Sequence, residues 1–309
     1  MWAGFFAFVI AATAVDLKVL SARGATRVSV KEALGWTTVW VALSFAFAGW
    51  LWWHLAGAAG PEIAREKTLE FLTGYLIEKS LSVDNIFVFL MLFTYFAVPP
   101  ELQRRTLVYG VIGAIALRIV MILIGAWLIA KFHWIIYVFG LFLLVTGAKM
   151  LFFAGDKPDL EKNPALRWMR GHLPVTPGFE GERFWILRDG VRTYTPLFLV
   201  LVMIAITDIV FAVDSIPAIF AITDDPFIVM TSNIFAVLGL RALYFVLADM
   251  ADRFHLLSYG LALVLMFIGV KMLLINFFKI PVFLALGVVV ALIAASIAAS
   301  LIWRTKLPG

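Results

Sequence analysis

The stretch from Glu78 to Phe89, EKSLSVDNIFVF, sets two carboxylates, a lysine and an asparagine inside a run that otherwise reads as a membrane or core helix. A second stretch, TDIVFAVDSIPAIF from Thr207 to Phe220, repeats the layout, with Asp208 at the position of Glu78 and Asp214 at that of Asp84. On insertion scales a carboxylate at the centre of a membrane helix costs about 3 kcal/mol, so such groups face a protein-lined or watery cavity and have partners. Duplication of the pattern implies that the two stretches share one task.

Composition fixes the class around them. The 309 residues are 63% hydrophobic and 15% charged, with a mean hydropathy of +1.00, well beyond a soluble domain. Apolar runs predict nine spans, near 2–20, 34–55, 69–97, 105–130, 133–153, 195–221, 226–248, 254–277 and 281–303. The expected fold is therefore an all-α polytopic membrane protein of about nine transmembrane helices. Basic excess after the first and third spans and at the C-terminus puts the N-terminus outside and the C-terminus in the cytoplasm, multi-pass in a cytoplasmic membrane. The same rule makes the net charge of +5 a topology signal rather than a nucleic-acid footprint. No Lys/Arg-rich segment precedes the first apolar run, which argues against a cleaved signal peptide. With no cysteine there is neither a disulfide nor thiolate chemistry. No glycine-rich phosphate loop, H-E-x-x-H or G-x-S-x-G occurs, so the chain is expected not to be an enzyme and to need no cofactor.

An internal repeat organises the chain. KFHWIIYVFGLFLLVTGAKML from Lys131 and RFHLLSYGLALVLMFIGVKML from Arg253 align without a gap, matching His133 with His255, Gly147 with Gly269 and Lys149 with Lys271. Upstream, Arg118 aligns with Arg241. Each unit is then three helices, and because the first begins outside and the second inside, the units form two inverted three-helix repeats. One membrane domain follows: two N-terminal helices in 1–67, the first repeat in 68–153, a cytoplasmic linker in 154–194, the second inverted repeat in 195–277 and a C-terminal helix in 278–309.

The acids define a candidate site. Glu78, Ser82 and Asn85 share a helix face, whereas Asp84 lies about a third of a turn away, since six residues advance roughly 600°. Local unwinding near Pro217 would let Glu78, Asp84, Asp208 and Asp214 approach one volume. Carboxylates with the oxygens of Asn85, Ser215 and Asn233 make a hard site suited to Mn²⁺, Mg²⁺ or Ca²⁺. Arg118 and Arg241 are read as structural counter-charges or gate elements, and Lys79 as a tether to a neighbouring carboxylate. Lys149 and Lys271 are read as snorkelling to the interface. The bland alternative is that these groups are ion pairs that only hold helices together.

The segments FLTGYLIEKSLSVDNIFVFLMLF, LQRRTLVYGVIGAIALR and FAVDSIPAIFAITDDPFIVMTSNIFAVLGLRALYF, over nearly the full length, resemble the TerC family of integral membrane proteins, and within it the Alx-type members. The resemblance implies a LysE-like fold and export of manganese from the bacterial cytoplasm, with tellurium resistance behind the family's name. It carries metal-site roles to Glu78, Asp84, Asn85, Asp208, Asp214 and Ser215. One departure stands out: relatives place a glutamate three residues before Asp208, where this chain has Ala205. The expectation is a secondary transporter moving Mn²⁺ by alternating access, coupled to H⁺ or Na⁺. The lipid bilayer and the divalent ion are its partners, nucleic acid is excluded, and oligomeric state is left open. A proton-coupled exporter of small organic solutes and a membrane scaffold without transport are the rivals.

Overall fold

The structure is a computed structural model; it describes residues 1–23, 29–132, 134–152, 160–188, 190–247, 256–278 and 280–303. The helices, in order, are α1 (Trp2–Arg23), α2 (Val30–Ala58), α3 (Pro61–Tyr95), α4 (Pro100–Lys131), α5 (Ile135–Phe152), α6 (Pro164–His172), α7 (Pro196–Phe220), α8 (Pro226–Leu238), α9 (Leu240–Leu247), α10 (Leu257–Leu273) and α11 (Val282–Ile302). Proline occupies the first helical position of α3, α4, α6, α7 and α8, where its missing N–H costs nothing.

By length and composition α2, α4, α5, α7 and α11 are long and apolar enough to cross a membrane, and a sixth span results if α8 and α9, bent by 42° at Gly239, are counted as one. The other three expected spans are also helices. Asp16 and Lys18 break the apolar run of α1, α10 is 17 residues long, and charged residues break the apolar pattern of the continuous α3.

Helix α3 is central, packing against α2, α7, α8 and α11, while α4 packs on α7 and α8. An aromatic cluster of Phe5, Phe47, Phe71 and Phe235 closes the core between α1, α2, α3 and α8. The most extensive helix pairing joins α5 and α10. Gly140 faces Gly269 and Gly147 faces Ala262, so the two helices run antiparallel. The approach is close: a Cβ added at Gly269 would lie 2.7 Å from the Gly140 carbonyl oxygen, and one at Gly147 would lie 2.8 Å from that of Ala262.

Two expectations are corrected by the backbone. Among the described residues the fold is helical except for one hairpin, β1 (Trp185–Arg188) with β2 (Val191–Tyr194), in the segment expected to be a plain linker. That segment is docked on the bundle: Leu166 and Met169 of α6 are buried in the core, Arg170 lies over the rings of Tyr95 and Phe96, and Arg105 pairs with Glu182. Helix α7 does not unwind at Pro217. The proline falls in the last turn, where its missing donor deprives only the Val213 carbonyl, and the helix continues through Asp214 and Ser215 to Phe220.

The glycine crossing yields a prediction. Gly269→Ala forces a methyl group against backbone and should cost about 1–3 kcal/mol by overpacking. Gly113→Ala, where an added Cβ meets nothing within 4 Å, should leave stability unchanged or slightly raised. Thermal unfolding of the two variants in detergent checks this, and equal midpoints would contradict it.

Candidate functional site

At the centre of the bundle four side chains from four helices meet: Glu78 of α3, Arg118 of α4, Asp208 of α7 and Asn233 of α8. All four are shut off from solvent, none more than 1% exposed. The Arg118 guanidinium is bidentate to Asp208, Nη2 donating to Oδ1 at 2.9 Å and Nε to Oδ2 at 3.2 Å. Its Nη1 donates to Glu78 Oε1 and, at 3.1 Å, to Asn233 Oδ1. Asn233 Nδ2 donates in turn to Glu78 Oε2 at 2.9 Å. Every carboxylate oxygen of the pair therefore accepts a hydrogen bond, and the ionised cluster carries one net negative charge.

Breaking such a buried pair from one side costs about 3–5 kcal/mol because it strands a charge, whereas the intact pair adds little net stability. Planarity suits arginine to this place: one rigid fork reaches two carboxylates and an amide at once, which a lysine's point charge does not.

Seven residues beyond each acid, nearly two turns along the same helix face, stand Asn85 and Ser215. Both side chains are buried, and Asn85 Oδ1 and Ser215 Oγ have no hydrogen-bond partner. Since about nine-tenths of buried polar groups are satisfied, matched orphans on the two repeated stretches call for an explanation. Nearby hydroxyls are committed to their own helices: Ser82 donates to Glu78 O, Thr207 to Met203 O, Thr231 to Phe227 O and Ser232 to Val229 O.

The remaining predicted site residues go elsewhere. Asp214 is partly buried and faces α5, where Thr146 and Lys149 are its polar neighbours. Six residues of helical advance separate it from the face of Asp208, and without unwinding of α7 the two acids do not converge. The side chain of Asp84 lies outside the described residues, as do those of His133 and His255. Among the described residues no three His, Cys, Asp or Glu side chains are grouped as metal ligands.

Arg241 is not the counterpart of Arg118 in space; it is buried on α9 and lines a crevice with Glu32, Trp36 and Arg104. Among the described residues Lys79 makes no hydrogen bond to a carboxylate. Its ammonium donates to the Ala236 carbonyl at 3.2 Å and sits beside Gly239, where an added Cβ would lie 2.6 Å from Nζ. That carbonyl belongs to the last turn of α8, which the α8–α9 bend leaves without an intrahelical donor, so Lys79 caps a broken helix. Of the two lysines expected to snorkel, Lys149 is exposed but Lys271 is buried, near Glu70 of α3. Sequence reasoning missed Thr146 and Gly239. The spacing of Thr146 and Lys149 on one face of α5 was the available signal for the first, and the glycine within an apolar run for the second.

Comparison with known proteins places the chain among integral membrane proteins. The chain is 53% identical over 297 residues to the "Putative membrane-bound redox modulator Alx" of Salmonella typhi, covering 96% of this chain and 92% of that one. It is 53% identical over 289 residues to the protein of the same name in Escherichia coli K12, covering 94% and 90%. An uncharacterised membrane protein of Rickettsia bellii is 39% identical over 301 residues, 97% of each chain. No solved structure matches. The family model for "Integral membrane protein TerC family" matches residues 63–307, which includes every residue of the buried cluster, and the chain belongs to that family of integral multi-pass membrane proteins.

Proposed function

We propose that the protein is a secondary transporter that exports a divalent metal ion, Mn²⁺ foremost, from the bacterial cytoplasm by alternating access, with no catalytic step of its own. The observation that carries this reading is the meeting of two matched carboxylates, Glu78 and Asp208, on one buried arginine in the interior of spanning helices. Two acids and one arginine leave a net charge of −1, and exchanging Arg118 for a divalent ion brings the site to neutrality. In this reading Arg118 occupies the place of the cargo: the ion enters as the guanidinium withdraws, and Asn233 stays to orient Glu78. Oxygen donors are the hard set preferred by Mn²⁺, Mg²⁺ and Ca²⁺.

The orphan oxygens of Asn85 and Ser215 support a path through the site. Each lies about 10 Å along its helix from its acid, and with α3 and α7 opposed, as an inverted repeat requires, the two would be stepping stones toward the two membrane faces. Asp84 and Asp214 would serve the approaches, Asp214 with Thr146 and Lys149 around it. The antiparallel α5–α10 contact supports an inverted repeat, because exchanging the units turns the Gly140–Gly269 pair into the Ala262–Gly147 pair. In the orientation expected from the basic residues, α6 and the hairpin face the cytoplasm. Relatives are named as redox modulators; with no cysteine in this chain, any redox effect here would come indirectly, through the metal it moves.

Saturation of all four carboxylate oxygens by Arg118 and Asn233 favours a second reading, in which the cluster is a structural tie in a membrane scaffold. Two experiments separate them. In proteoliposomes loaded with Mn²⁺, Asp208→Asn and Asp214→Asn should each reduce flux at least tenfold while the protein remains monodisperse; unchanged flux in both removes the site assignment. Arg118→Gln strands two buried acids and should lower stability by about 3–5 kcal/mol in metal-free buffer. Mn²⁺ should then stabilise this variant more than the wild type, because ligand binding to the folded state adds to stability. A structural tie predicts the loss without the Mn²⁺-dependent recovery.

A further inference from the structure

Where α7 begins, the amphipathic α6 and the hairpin lie across it. Helix α6 buries Leu166 and Met169 and turns Arg167 and Trp168 outward. Between α6 and α7 runs a groove of about 490 Å³. Its wall on α7 is a single stripe, Phe198, Val202 and Ile206, spaced by four residues, and Trp168 and Tyr194 stand beside it. The Tyr194 ring packs on Phe198 with centroids 4.5 Å apart. The stripe therefore starts at the hairpin and extends about 12 Å along a helix apolar enough to span a bilayer. Half of a hydrocarbon core is about 15 Å, so the stripe is nearly as long as one leaflet is deep.

At the hairpin end of the groove Tyr194 is the lining residue, and Arg192 precedes it by two on the same strand. Register pairs Trp185 with Tyr194 and Leu187 with Arg192, which puts these four side chains on one face. Arg192 lies 4.5 Å over the Trp185 ring, so its flat face is held on indole while the donor edge of a guanidinium is the part that suits a phosphate. An aromatic rim carrying one arginine beside an apolar stripe matches the layering of a phospholipid at the membrane interface.

We propose that this groove binds an anionic glycerophospholipid, with an acyl chain against Phe198, Val202 and Ile206 and the phosphate on Arg192. The site is independent of the transport reading. The lipid joins α6 and the hairpin to the first half of α7, the helix that carries Asp208.

Native mass spectrometry of the full chain released from micelles, titrated with phosphatidylglycerol and with phosphatidylcholine of identical chains, tests it. The wild type should retain one phosphatidylglycerol in preference to phosphatidylcholine. Arg192→Gln, on the surface, should lower phosphatidylglycerol retention about fivefold, the effect of one interfacial cation, and lower that of phosphatidylcholine, whose choline offsets its phosphate, by less. Val202→Trp, which fills the groove, should lower retention of both. Equal retention of the two lipids by the wild type, or undiminished phosphatidylglycerol retention in both variants, would overturn the proposal.

Discussion

A charge in the interior of a membrane protein has to be answered by another charge, and here the answer is one arginine. Arg118 holds Glu78 and Asp208 together, and Asn233 takes the remaining carboxylate oxygen, so α3, α4, α7 and α8 are joined at a point that no water reaches. Removing the arginine with nothing in its place would strand both acids in low dielectric. The surrounding elements keep that point in place. Aromatic packing of Phe47, Phe71 and Phe235 steadies α3 against α8, and Lys79, one residue after Glu78, caps the break at which α8 gives way to α9.

That break has a consequence for motion. A helix interrupted at a glycine, its freed carbonyl taken by a side chain from another helix, can bend without losing its hydrogen-bond balance. Asn233 lies on α8 just ahead of the break and Arg241 just after it, so bending at Gly239 would move one partner of the acid pair relative to the other end of the same segment. The close antiparallel contact of α5 and α10, by contrast, leaves no slack: backbone meets backbone through glycine. A rigid pair beside a hinged segment is the mechanical contrast that the proposed alternating access needs.

Much of this was legible in the residues. Carboxylates inside apolar runs located the centre, because their insertion cost admits few explanations, and Asn233 was named with them. The six-residue step from Asp208 to Asp214 already implied divergent directions, and the structure follows the helix rather than the proposed unwinding at Pro217. What pattern could not supply was the choice between aligned residues. Arg118 and Arg241 match in the repeat, yet only Arg118 reaches the acids, since the bend after Leu238 directs Arg241 toward α2 and α4. Lys79 has a backbone carbonyl as its partner, which leaves no trace in sequence. The folded linker was hidden by its mixed charge, although the alternation in WILR and VRTY around a turn is a hairpin's signature.

The central claim is that a divalent cation takes the place of the Arg118 guanidinium between Glu78 and Asp208. Anomalous diffraction at the manganese edge, on crystals of the wild-type protein grown with and without Mn²⁺, tests it most directly. The account predicts a manganese peak within coordination distance of both carboxylates and an Arg118 side chain withdrawn from them. A cluster that keeps Arg118 on both acids at saturating Mn²⁺, with no peak beside them, would contradict it.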